Sequence, residues 1–194
     1  TWKGLADGTY YYPVMYDAAN GSVGAYTLNV VANIHVPTYC TAGSSYTNCD
    51  EYISRVQVGA IDNQTGCSQP GGYGDYTYLV TDMTIGIGYG ITVTNGHPYS
   101  SDQCKVWVDW NQDMDFYDAG EAFTMAGSPG NGPYTGMITP PVGTPEGLTR
   151  MRVRITYTGT LDPCGITTYG EVEDYSINVR PAAPEGACCV GVVC

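Results

Sequence analysis

The chain has 194 residues, only 13% of them charged, and 19 acids against 7 bases leave a net charge of −12. That balance argues against a nucleic-acid partner, since wrapping a polyanion takes Lys and Arg in number. Disorder is disfavoured too: 43% hydrophobic residues, with 18 Tyr and 3 Trp, are material for packing. Gly, at 26 residues, stands at about twice its usual frequency while helix formers are scarce, which is β composition. No apolar run approaches the roughly 18 residues that a spanning helix needs, so no membrane span is expected.

From the amino terminus, residues 1–37 read as a strand-rich arm. Tyr10-Tyr11-Tyr12-Pro13-Val14-Met15-Tyr16 is followed by a stretch in which Tyr26, Leu28, Val30, Ala32 and Ile34 share one face. Residues 38–180 follow as the main domain. Its strand signals are Tyr52 to Ile61, Tyr76 to Thr81, Ile85 to Thr94, Lys105 to Trp110, Thr149 to Tyr157 and Glu171 to Val179. Turns such as Gln69-Pro70-Gly71-Gly72 and Asn95-Gly96 separate them. The clearest strand puts Met151, Val153, Ile155 and Tyr157 on one face and Arg150, Arg152, Arg154 and Thr156 on the other. Many short strands at this spacing predict an all-β, antiparallel β-sandwich, Ig-like or jelly-roll-like. Residues 181–194 read as a Pro-rich linker and a Cys-rich tail.

Eight cysteines, Cys40, Cys49, Cys67, Cys104, Cys164, Cys188, Cys189 and Cys194, suit an oxidising exterior. A zinc site fits poorly, for there is no CxxC and just two histidines, His35 and His97. Locally, Cys40 and Cys49 would staple a ten-residue loop, and the neighbours Cys188 and Cys189 would take different partners. The two sequons, at Asn20 and Asn63, carry little weight, because such triplets arise by chance.

The strongest chemical signal is Asp109-Trp110-Asn111-Gln112-Asp113-Met114-Asp115, followed by Asp118 and Glu121. Alternating acids and Asn put oxygen ligands at positions 1, 3, 5 and 7 of a tight loop, which is what a hard cation such as calcium wants. Position 6 of such loops is normally Gly; Met114 there would be strained at positive φ, so a different turn is expected. A second acidic cluster, Gly170-Glu171-Val172-Glu173-Asp174, either lends Glu171 and Glu173 to the cation or pairs across strands with the Arg row. Cross-strand pairing is the better reading. Ile85-Gly86-Ile87-Gly88-Tyr89-Gly90-Ile91 lacks the Lys and the helix of a phosphate loop, so it reads as a strand with a bare glycine face for packing or assembly. Neither histidine has a nucleophile at a recognisable spacing, and no HExxH or GxSxG is present, so no enzyme activity is expected.

Taken in order, Tyr39-Cys40, Tyr52-Ile53-Ser54-Arg55-Val56, Gly72-Tyr73-Gly74-Asp75-Tyr76, the stretch Val106 to Phe123, Thr149 to Arg154 and Gly170-Glu171-Val172-Glu173-Asp174-Tyr175 resemble the GEVED domain. The resemblance spans about residues 38–180. It implies a secreted, non-catalytic β-sandwich module of large bacterial proteins. The family's acidic loop usually reads Asp-x-Asn-x-Asp-Gly-Asp; Asp109, Asn111, Asp113 and Asp115 match it and Met114 departs.

A spare amphipathic strand beside a sandwich with open edges is the ingredient of strand donation. The expected function is therefore an extracellular or cell-surface structural subunit that partners with copies of itself, head to tail, in a filament stiffened by calcium and disulfides. The alternative is a monomeric adhesion or carbohydrate-binding module, its tyrosines stacking on glycans.

Overall fold

The computed structural model describes residues 37–46 and 48–182. The arm strand Tyr26 to Ile34, His35, Cys188, Cys189 and Cys194 lie outside the described residues. Within them are eleven strands and no helix: β1 (Ala42–Ser44), β2 (Ile53–Val58), β3 (Ile61–Gln64), β4 (Tyr73–Thr84), β5 (Tyr89–Asn95), β6 (Gln103–Val108), β7 (Ala122–Thr124), β8 (Tyr134–Ile138), β9 (Gly147–Thr156), β10 (Gly165–Thr167) and β11 (Glu171–Arg180). A five-stranded sheet, β4-β11-β9-β6-β7, packs on a four-stranded one, β3-β2-β5-β8, and β1 and β10 form a small parallel pair.

The core between the large sheets follows the alternation in the sequence. Met151, Val153 and Ile155 of β9 meet Val106 and Val108 of β6, Tyr175, Ile177 and Val179 of β11, and Ile53, Val56, Ile91 and Val93 of the opposing sheet. All of these are buried, so each strand gives one face to the core.

Three expectations about strands need correction. The run Tyr52 to Ile61 is not one strand but β2 and the start of β3, which pair as a hairpin. Gly59, at φ 55°, makes the turn between them. Ile85 to Ile91 is not a continuous strand with a bare glycine face either. Gly86, at φ 81°, turns the chain out of β4 in one sheet and toward β5 in the other. Finally, the larger sheet is mixed. β4 leaves for the opposite sheet instead of turning back, so it lies parallel to β11, with a register shift between Tyr175 and Ser176.

The outer face of β9 carries the Arg row, and it is not a solvent face. Arg152 and Arg154 are each 1% exposed, roofed by the segment before β1 and the loop leading to β10. Arg154 donates to the carbonyls of Asp162, Cys164, Gly43 and Gly165 at 2.7 to 3.0 Å. Desolvation pulls its guanidinium below the usual arginine range, but four carbonyl acceptors hold its Nη protons.

A disulfide between Cys40 and Cys164 ties the two halves of this roof together, and Cys49 pairs with Cys67. The expected Cys40–Cys49 staple does not form, because Cys40 lies over the Arg row beside the loop before β10. Cys104 is not in a disulfide among the described residues. It sits in the apolar core on β6, where burial pushes its thiol well above the ordinary value.

Candidate metal centre and the buried acids

The acidic loop begins where β6 ends. Asp109 is fully buried; its amide donates to the Arg150 carbonyl, and its own carbonyl accepts the Thr149 hydroxyl. Its carboxylate takes three donors: the Gln112 amide at 2.6 Å, the Met114 amide at 3.0 Å and the Tyr39 hydroxyl at 2.6 Å. Tyr39 is in turn held between the Phe116 ring, 5.2 Å away, and the Arg150 guanidinium, 4.2 Å from its centroid. Burial and the Asp109 carboxylate raise the Tyr39 phenol, so it stays a donor.

A relay of turns runs outward from this anchor. Asn111 Oδ1 accepts the Asp113 amide at 3.1 Å, Asp113 Oδ1 accepts the Asp115 amide at 3.2 Å, and Asp115 Oδ1 accepts the Tyr117 amide at 2.8 Å. Each is a side chain capping the backbone two residues on, the habit that makes Asn and Asp turn formers. The loop does reach positive φ, at Gln112 (62°) and at Met114 (72°), so the expectation that Met114 would force a different turn is corrected. The Asp109 carboxylate gathers the amides of both residues, and that fixes the conformation.

Carboxylate oxygens of Asp113, Asp115 and Asp118 lie within 4.8 Å of one another, all three residues exposed. The Asn111 amide bridges two of them, at 3.0 Å to Asp113 and 2.7 Å to Asp118. None of the three forms an ion pair among the described residues. Three converging carboxylates with a neutral oxygen donor beside them are a donor set that fits a hard cation. Glu121 stands behind the loop, buried, accepting the Trp110 amide at 2.8 Å and the Asp118 amide at 3.3 Å.

The structure does not bring Glu171 and Glu173 to this loop. Both project from β11 into the space between the sheets. Glu171 accepts the amides of Ile53 and Ser68. Glu173 accepts the Thr65 hydroxyl at 2.9 Å and the Tyr175 hydroxyl at 2.7 Å, while Asn63 donates to Tyr175 at 3.0 Å. Burial raises both carboxyls, that of Glu173 to about 8. The Asn63 side-chain nitrogen, the acceptor of the second sequon, is thus engaged inside the protein. Asp174 faces the other way and pairs with Arg152, as the cross-strand reading expected. Gly170 opens the motif at φ 99°, where a Cβ would fall 2.1 Å from the Ile155 carbonyl oxygen. Every residue of Gly170 to Asp174 except Val172 therefore answers a backbone or hydrogen-bonding demand, and Val172 is buried.

No sequence signal marks Tyr39 or Thr65 as partners of these acids, and Arg154, expected to pair with them across strands, lies opposite Val172 and donates to loop carbonyls instead. Their contacts join segments 70 to 111 residues apart or cap loop carbonyls, and no local spacing marks them.

A mixed sandwich with two disulfides and an acid-rich loop at one sheet end defines an all-β sandwich domain. Residues 103–178, from β6 almost to the end of β11, match the GEVED domain family. Among solved structures, one described as "ZirS C-terminal Domain" is similar at 15% identity, over 91% of this chain and 98% of that chain, with a TM-score of 0.32. No curated protein matches the chain.

Proposed function

We propose that this is a secreted, non-enzymatic structural domain that polymerises head to tail by accepting a strand from another copy. The observation that carries the reading is the edge of the larger sheet. β4 is twelve residues long and outermost, and it exposes Tyr78 (72%) and Val80 (42%). Natural proteins usually blunt such edges with charge, proline or a cover, since an open strand invites pairing. The donor would be the amphipathic stretch Tyr26 to Ile34. Two disulfides and the family match support an oxidising, extracellular setting.

Calcium is the proposed ligand of Asp113, Asp115 and Asp118, with Asn111 beside them. Bound there, the cation would neutralise the cluster and brace the loop. Asp109 and Glu121 would act from behind by fixing the loop backbone. A non-catalytic role is supported by the engagement of the strand acids: Glu171, Glu173 and Asp174 are committed to internal partners.

Full-length protein and a variant lacking residues 1–36 should be compared by size-exclusion chromatography and negative-stain microscopy, with and without Ca²⁺. Polymers from the full chain alone are expected. Monodisperse monomers from both would end the filament reading.

A further inference from the structure

At the far end of β6 from the acidic loop lies a pocket that no part of this reading uses. Asp102 precedes β6 and Asp109 follows it, so the two sites are about 20 Å apart at roughly 3.3 Å per strand residue. The pocket has a volume of ≈ 200 Å³ and is lined by Tyr46, Asp50, Glu51, Tyr99, Tyr157 and Tyr169. The four rings form a continuous wall. Tyr46 and Tyr169 meet at 4.9 Å, Tyr169 and Tyr157 at 6.2 Å, and Tyr157 and Tyr99 at 5.8 Å, with interplanar angles of 62°, 84° and 79°.

The acid beside this wall is short of partners. Glu51 is 6% exposed, yet its Oε2 has no hydrogen-bond partner among the described residues. Behind it, Asp102 is 1% exposed; its Oδ2 accepts from Asn95 and from the Tyr99 amide, and its Oδ1 has no partner among the described residues. Asp50 accepts the Tyr99 hydroxyl at 2.9 Å and lies 3.1 Å from His97 Nδ1. No lysine or arginine among the described residues pairs with any of these three carboxylates. Glu51 takes one backbone hydrogen bond, from Tyr157, and a buried carboxylate oxygen left unpaired beside it still costs free energy. Burial, with Asp102 and Asp50 nearby, pushes the Glu51 carboxyl up to about 7.

We infer that this pocket binds an organic ammonium ion of the lysine side-chain type, the charge meeting Glu51 and the methylenes lying against the tyrosine rings. Two observations select that ligand over others. The converging set of metal-ligating side chains among the described residues is Asp113, Asp115 and Asp118, so the carboxylates of this pocket are not gathered for a metal ion. Neutral sugars stack on the flat face of an exposed ring, whereas these rings stand edge to face with one another along the pocket wall. Aromatic faces around a buried negative charge are the arrangement that stabilises a desolvated alkylammonium.

The test uses the full chain and follows the ring signals of Tyr46, Tyr99, Tyr157 and Tyr169 by NMR. The probes are n-butylammonium, Nα-acetyl-lysine N-methylamide, the uncharged Nα-acetyl-norleucine N-methylamide, galactose and CaCl₂. Saturable shifts from the two ammonium probes, weakened at least tenfold by Glu51→Gln, are expected. Tighter binding of the lysine derivative would identify a protein-borne lysine as the source, and equal binding would identify small amines. Asp50→Asn, on the partly exposed rim, should weaken both probes and guards against a folding defect in the first variant. The inference is overturned if neither ammonium probe shifts the rings, if Glu51→Gln binds as well as the parent, or if norleucine, galactose or Ca²⁺ moves the same signals as strongly.

Discussion

Arg152 and Asp174 face each other across β9 and β11 as a two-point ion pair, Nε to Oδ1 and Nη2 to Oδ2 at 2.7 Å each, with side chains 1% and 0% exposed. The remaining Arg152 protons go to the carbonyls of Cys40 and Pro163, and Tyr73 donates its hydroxyl to Asp174 at 2.8 Å. This pair fastens the roof to the sheet. Removing one partner strands the other charge in the interior, at a cost of about 3–5 kcal/mol. Asp174→Ala should therefore lower the urea midpoint far more than Arg55→Ala, which breaks the solvent-exposed pair with Asp62. Similar losses in the two variants would show that the interior pair contributes nothing beyond a surface one.

Met114 holds φ at 72°, a conformation that costs a side chain with a Cβ about 1–2 kcal/mol over glycine. Met114 is 37% exposed, so its packing is only partial. Met114→Gly should accordingly raise unfolding stability by about 1 kcal/mol, the gain reduced by the extra freedom glycine has when unfolded. Equilibrium denaturation checks this, and a loss of stability would mean that the methionine packs in a way its exposure does not suggest.

The carboxylates of Asp113, Asp115 and Asp118 repel one another and form no ion pair among the described residues. Calorimetry on EDTA-stripped protein should give a heat of Ca²⁺ binding, and the melting temperature should rise with added Ca²⁺ by mass action. The double variant Asp113→Asn, Asp115→Asn should lose both responses, whereas Glu173→Gln, remote from the loop, should keep them. Retention of both responses in the double variant would move the cation elsewhere.

The sandwich was legible because apolar and polar residues alternate along its strands: Met151, Val153 and Ile155 announce the core face of β9 from their spacing alone. The relay of turns from Asn111 to Tyr117 was legible for a similar reason, since each contact spans two residues. What could not be read was long-range. Glu171 and Glu173 have the composition of ligands, but their donors, Ile53 and Thr65, lie 118 and 108 residues away. The same distance hid the partner of Cys40. Nearness in sequence suggested Cys49, and the sheet delivered Cys164. Local alternation also misled where a single glycine changed sheets, as Gly86 does between β4 and β5.

Those two disulfides differ sharply in the chain they close, 124 residues for Cys40–Cys164 and 18 for Cys49–Cys67. Loop-closure entropy grows with the logarithm of that length, so the longer bridge should stabilise by about 1–2 kcal/mol more. Paired Cys-to-Ser variants of each bridge, compared by denaturation under non-reducing conditions, check the order. A larger loss from the short bridge would point to strain or residual structure in the unfolded chain rather than closure.

Glu173 sets a pH dependence whose sign is opposite to that of a salt-bridged acid. Burial pushes its carboxyl up to about 8 from an ordinary 4.5, so the folded protein holds a proton that the unfolded chain releases. Between those values the folded state binds more protons, and stability falls as pH rises, by up to about 1.4 kcal/mol per pH unit. The stabilisation is complete below about 4.5 and lost as the pH passes 8. Glu171, Glu121 and Glu51 are raised by burial as well and act in the same direction. Urea midpoints measured from pH 5 to pH 8 should therefore decline. Glu173→Gln, which keeps the neutral shape without a titrating proton, should flatten that slope and gain most over the parent at the alkaline end. Parallel slopes in parent and variant would mean that Glu173 is ionised in the folded protein, its charge carried by the hydroxyls of Thr65 and Tyr175.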